Sequence, residues 1–136
     1  MKTKGSLILH VLVGVGAIAG GMAVVIDPTG SNMGVPLELL KYSPFQDFLI
    51  PGLFLVAVLG IGNLAVAWIG YKYPMLIPYG DIAMGGILVV WIVVQCIMLR
   101  SIAILHLIFF AIGCIQIVLG YRRGKKQNAP YFDYLP

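Results

Sequence analysis

Four long apolar stretches, parted by short breaks of proline, glycine and charge, set the plan of the chain. The first, over 6–26, has about the 20 residues a helix needs to cross a bilayer. Its basic start resembles a signal peptide, but it outruns the usual apolar region of about 7–15 residues, and three more apolar runs follow. The pattern predicts an all-α bundle of four transmembrane helices over about 6–26, 44–70, 82–99 and 102–120. The whole chain, 1–136, then forms a single integral membrane domain. Arg100 and Ser101 leave room for a tight hairpin between the last two helices. One continuous helix would instead place Arg100 at mid-bilayer without a partner.

The polar interruption after helix one is the most elaborate stretch. Residues 27–52 read DPTGSNMGVPLELLKYSPFQDFLIPG and hold three of the acidic residues, Asp27, Glu38 and Asp47. Asp27-Pro28-Thr29-Gly30 ends helix one. Residues 35–42, VPLELLKY, suggest a short outer interfacial helix with Leu37, Leu39 and Leu40 toward lipid. Ser43-Pro44-Phe45-Gln46 carries a capping signature, which would start helix two at Pro44. The outer loop then covers 27–43. Trp68, Tyr71 and Tyr73 suggest an interface belt, and YKYPMLIPYG a connector in the headgroup region. Asp81 would cap helix three.

Composition sharpens this picture. Sixty per cent of residues are hydrophobic and ten per cent charged, against about 25% charged in soluble domains. A small soluble fold could not bury that much apolar surface. Cations gather at the two ends: Lys2, Lys4, Arg122, Arg123, Lys125 and Lys126. This favours topology control and lipid headgroups over nucleic acid, and places both termini, including the tail 121–136, in the cytoplasm. The aromatic residues Tyr131, Phe132 and Tyr134 in that tail would fold back on the membrane or form a docking peptide.

Five polar side chains lie inside the apolar runs. Helix rise puts His10, Asn63 and Gln116 in an inner layer, about 20–25 Å below the outer end, and Gln95 and His106 only about 6–8 Å below it. Hydrogen-bonding between helices is the plainer use of such groups, and a ligand site in the outer half the sharper one. In that site Arg100 would pair with Asp47 and pin the loop as a lid. Trp91, Gln95 and His106 would line a pocket beneath, with Glu38 nearby. Helix one carries Gly16 and Gly20 at the spacing that lets another helix approach, within the chain or in a second copy.

Other chemistries lose ground. The two histidines differ in depth by about 15 Å, too far to share a haem. Cys96 and Cys114 differ by about 12 Å, too far for a disulfide. No Cys-x-x-Cys, phosphate loop or nucleophile–base set is visible, so no cofactor, metal or catalytic residue is expected. Small multidrug antiporters share the length and helix count but depend on a membrane-embedded carboxylate. No Asp or Glu is expected within a helix core here.

The run VVIDPTGSNMGVPLELLKYSPFQDFLIPGLFLVAVLGIGNLAVA, with the later WIVVQCIMLRSIAILHLIFFAIGCIQIVLG, resembles an uncharacterised family of small bacterial four-helix integral membrane proteins. The resemblance implies a standalone bundle and transfers no activity. The expected function is non-enzymatic: binding of a hydrophobic or amphiphilic ligand, or of partner helices, through the outer half. A small oligomeric transporter or channel is the alternative, and a membrane enzyme acting on lipids, using His106, Glu38 and Asp47, a second one. The expected partners are the lipid bilayer and further copies or a larger membrane complex.

Overall fold

The computed structural model describes residues 4–31, 36–100 and 104–127. These form four long helices: α1 (Lys4–Ile26), α2 (Leu49–Lys72), α3 (Ile77–Leu99) and α4 (Ile104–Lys126). No strand occurs among the described residues, and the architecture is all-α. Each helix is long and apolar enough to cross a membrane, yet no more than 28% of any apolar window is buried inside the protein. Ile8, Leu12, Ile50, Ile61, Val90, Ile97 and Leu105 all face outward. The fully buried side chains include Ser6, His10, Asn63, Asp81 and Gln116. An apolar exterior around a partly polar interior fits a multi-pass membrane protein, because lipid solvates the outside and the polar groups need internal partners.

Glycines bring the helices together as two antiparallel pairs. In α1–α2, a Cβ on Gly14 would lie 3.0 Å from the Gly60 carbonyl oxygen, and one on Gly21 2.8 Å from that of Gly52. In α3–α4, a Cβ on Gly85 would lie 2.7 Å from the Gly113 oxygen. Such backbone approach maximises dispersion contact where no hydrophobic force acts between helices. The glycine face of α1 is therefore Gly14, Ala17 and Gly21. A Cβ on Gly16 would meet nothing within 4 Å, and one on Gly20 would make only ordinary contact with Leu55. The close packing expected at Gly16 and Gly20 is thus displaced around the helix within this chain. Between the pairs lie Val13, Ala17, Leu59, Met84, Leu88 and Ile92, with Phe54 stacked on Trp91 at 4.4 Å.

Several boundaries differ from those expected. Residues 37–40 form one 3-10 turn, not an α-helix; Pro36 ahead of it is extended, and so short a segment does not repay helix nucleation. Helix two begins at Leu49 rather than Pro44. The Ser43 hydroxyl donates to the Leu40 carbonyl and accepts from the Phe45 amide, so it caps a turn instead. Asp47 accepts from the Leu49 amide and opens the helix. Helix three begins at Ile77, because Pro78 fits the first turn, where no amide hydrogen is needed. Arg100 ends it in the left-handed conformation (φ 49°), and α4 returns antiparallel, as a hairpin requires. Helix four runs on through residues expected in the tail. Ser101, Val35 and the aromatic residues Tyr131, Phe132 and Tyr134 lie outside the described residues.

Within α2, residues Leu55–Ile61 form a π-helix. The widened turn rotates the following residues relative to a regular helix. Asn63 follows after Gly62, pointing inward with its side-chain amide donating to the Leu59 carbonyl at 2.7 Å.

Candidate functional site

All four helices send polar side chains to one buried centre near the end that holds the start of α1 and the end of α4. On α1, Ser6 and His10 are one turn apart and share a face. His10 Nδ1 is 2.7 Å from Asn63 Oδ1 on α2 and 3.3 Å from Gln116 Nε2 on α4. His10 Nε2 is 2.7 Å from Asp81 Oδ1 on α3. The other carboxylate oxygen, Oδ2, accepts from the Ser6 hydroxyl at 2.7 Å. Arg123 on α4 donates to the Ser6 oxygen and lies 3.4 Å from Asp81 Oδ2. His10 and Asp81 are at most 1% exposed, and the Arg123 side chain is 16% exposed. Gln116 Oε1 is buried and has no partner among the described residues.

The inner layer expected at His10, Asn63 and Gln116 is thus one bonded cluster. Its charged members went unforeseen. Asp81 is not a helix cap: α3 starts a turn earlier and its carboxylate points into the bundle. The expectation of no carboxylate within a helix core is corrected by the same residue. Two spacings carry the missed signal. Asp81, Gly85, Leu88 and Ile92 repeat at intervals of four, three and four, and Gln116, Gly120 and Arg123 at four and three.

At the other end, Ile92, Val93, Cys96, Ile97 and Arg100 of α3 face His106, Leu107 and Phe110 of α4 across a cavity of about 690 Å³. It opens on the outside of the bundle, since Val93, Ile97 and Leu107 are exposed. Of the residues expected to bind a ligand, Arg100 and His106 line this groove. Trp91 instead turns to the interior against Phe54, with its indole Nε1 buried and unpartnered among the described residues. Gln95 is half-buried outside the lining, and Glu38 is exposed on the 3-10 turn. The expected Arg100–Asp47 pair does not occur among the described ion pairs. Arg100 lies over the Tyr42 ring at 3.9 Å, so the loop is held by a cation–π contact, while Asp47 serves the start of α2. Asp27 accepts from the Thr29 and Ser31 hydroxyls.

Cys96 and Cys114 are free thiols, and no group of three or more His, Cys, Asp or Glu side chains suited to a metal occurs among the described residues. Comparison with known protein families, curated proteins and solved structures gives no match. The chemistry of the two regions therefore rests on their own geometry.

Proposed function

We propose that the chain is a non-enzymatic multi-pass protein of the cytoplasmic membrane, with both termini cytoplasmic, that binds an acidic amphiphile in the α3–α4 groove. The observation that carries this reading is the groove itself: apolar walls that end at Arg100 and His106. An acyl chain would lie along Ile92, Cys96, Ile97 and Phe110 and place its headgroup at the guanidinium, a preferred partner of carboxylates and phosphates. Orientation rests on charge. Lys4, Lys72, Arg122, Arg123, Lys125 and Lys126 share the end of the bundle where α1 begins and α4 ends, and the acidic Asp27 and Asp47 lie at the other.

Native mass spectrometry in detergent tests the binding with oleate and its uncharged glycerol ester as probes. Oleate should be retained in preference, and Arg100→Gln should weaken it about tenfold or more, the loss of one charge-assisted bond. Equal retention of both probes, unchanged by Arg100→Gln, would refute the reading. The exposed face around Gly16 supports an alternative in which copies associate into a small transporter; the same spectra report subunit number.

A further inference from the structure

The atoms around His10 have roles that hydrogen-bond chemistry fixes. The Leu59 carbonyl can only accept, so the Asn63 atom 2.7 Å from it is the amide nitrogen. Asn63 therefore turns its oxygen to His10 Nδ1 at 2.7 Å, and Nδ1 must carry a hydrogen. On the far side of the ring, Nε2 and Asp81 Oδ1 are also 2.7 Å apart. Two lone pairs do not meet at that distance, so a proton lies between them. Asp81 Oδ2 is already engaged by Ser6 and Arg123.

We propose that His10 and Asp81 form a proton-binding site, in which a proton shared between Nε2 and Oδ1 is exchangeable and its loss moves His10 from Asn63 to Gln116. The occupied site is an imidazolium with a carboxylate, or an imidazole with a carboxylic acid; the proton count is the same. When that proton leaves to water, one hydrogen remains on the ring. If it stays on Nδ1, the bare Nε2 faces a carboxylate. If it sits on Nε2, the bond to Asp81 survives and the bare Nδ1 faces the Asn63 oxygen. The second arrangement has a donor waiting, because Gln116 Nε2 is 3.3 Å from Nδ1. With its oxygen buried and unpartnered among the described residues, the Gln116 amide is not committed elsewhere. Losing the proton thus gives up the His10–Asn63 bond between α1 and α2 and strengthens the link from His10 to Gln116 of α4.

The groups facing the pair are Ser6 from α1, Asn63 from α2, and Gln116 and Arg123 from α4. Asp81 and Arg123 offset each other, so the shared proton leaves one net positive charge in the network. A charge in so dry a place responds strongly to its surroundings. Arg123, partly exposed and bonded to Ser6, leads from the pair toward the basic end, where water can deliver the proton. Amide and acid groups that only glue helices together would keep one tautomer at every pH. This inference does not depend on the groove, which lies at the opposite end of α3 and α4.

The test uses the full-length protein in lipid nanodiscs with nitrogen-15 histidine. His106→Gln leaves His10 as the remaining one of two histidines. Solid-state spectra are recorded from about pH 4 to about pH 10. The expected result is a protonated Nδ1 at low pH and a single transition to the Nε2–H tautomer at high pH. Asp81→Asn should abolish that transition. A bare Nδ1 at all pH values, or a protonated Nδ1 with no transition, overturns the proposal on the Asp81-containing chain alone, whether or not Asp81→Asn folds. The same transition in Asp81→Asn assigns the proton to His10 by itself and overturns the paired site.

Discussion

Near the basic end of α3–α4, a Cβ on Gly120 would lie 2.7 Å from that of Asp81; at the other end, Arg100 and His106 stand across a groove of about 690 Å³. The same two helices contribute to both regions. Glycines at 85, 113 and 120 let the backbones touch toward the basic end. Between Gly86 and Gly113 the chain has no glycine, and the side chains there are mostly large and apolar. Within α3–α4, close approach is thus confined to the part where polar groups must be kept from lipid. Where no buried polar group demands it, bulky residues leave space between the helices. The contrast teaches that small residues here do more than pack: they seal the network of Asp81, His10 and Arg123.

The largest expected effect comes from the sealed end. Asp81→Ala strips His10, Ser6 and Arg123 of their shared acceptor and should cost about 3–5 kcal/mol, as removal of one partner from a buried ion pair does. Unfolding in mixed micelles measures it, and a loss below about 1 kcal/mol would erase the difference between the two ends. Gly120→Leu should come next, at about 1–3 kcal/mol or more, because the added side chain meets Asp81 and the Pro78 carbonyl. Gly16→Leu is its control, since that face is open in the single chain, and should stay within about 0.5 kcal/mol. A large loss at Gly16 would place a second copy there. Arg100→Gln, at the open end, should cost only about 0.5–1 kcal/mol through the lost contact with Tyr42.

Much of the fold was legible because lipid imposes a simple rule on sequence. Four apolar runs of sufficient length give four helices, and the lone Arg100 at the last break marks the turn between two of them. The inner polar layer was legible from helix rise, which put His10, Asn63 and Gln116 at one depth. Asp81 was not, because Tyr73, Pro74, Pro78 and Tyr79 read as connector, although a proline in the first helical turn is compatible with starting a helix. Arg123 was hidden by its basic neighbours: six residues of the expected tail continue α4, and only the register with Gln116 and Gly120 distinguishes it. The π-helix at Leu55–Ile61 leaves no mark in a run of apolar residues. Around the groove, Gln95 was grouped with His106 by depth, and depth says nothing about which side of α3 a residue faces; Trp91, one turn before Gln95, turns instead to Phe54. Asp47 and Arg100 were matched by charge, while nearer partners, the Leu49 amide and the Tyr42 ring, meet their needs.

A double-mutant cycle on His10 and Asp81 asks most directly whether the inner network is a charged lock rather than ordinary glue. His10→Ala, Asp81→Ala and the double variant are unfolded in mixed micelles beside the parent, so that contacts of Asp81 with Ser6 and Arg123 cancel from the pairwise term. An ordinary hydrogen bond between membrane helices couples by about 0.6 kcal/mol on average. A pair sharing a proton in a dry interior should couple by about 1.5–3 kcal/mol. A coupling in that higher range is the expected result; one at or below about 0.6 kcal/mol would reduce His10 and Asp81 to neutral cross-links and contradict the account.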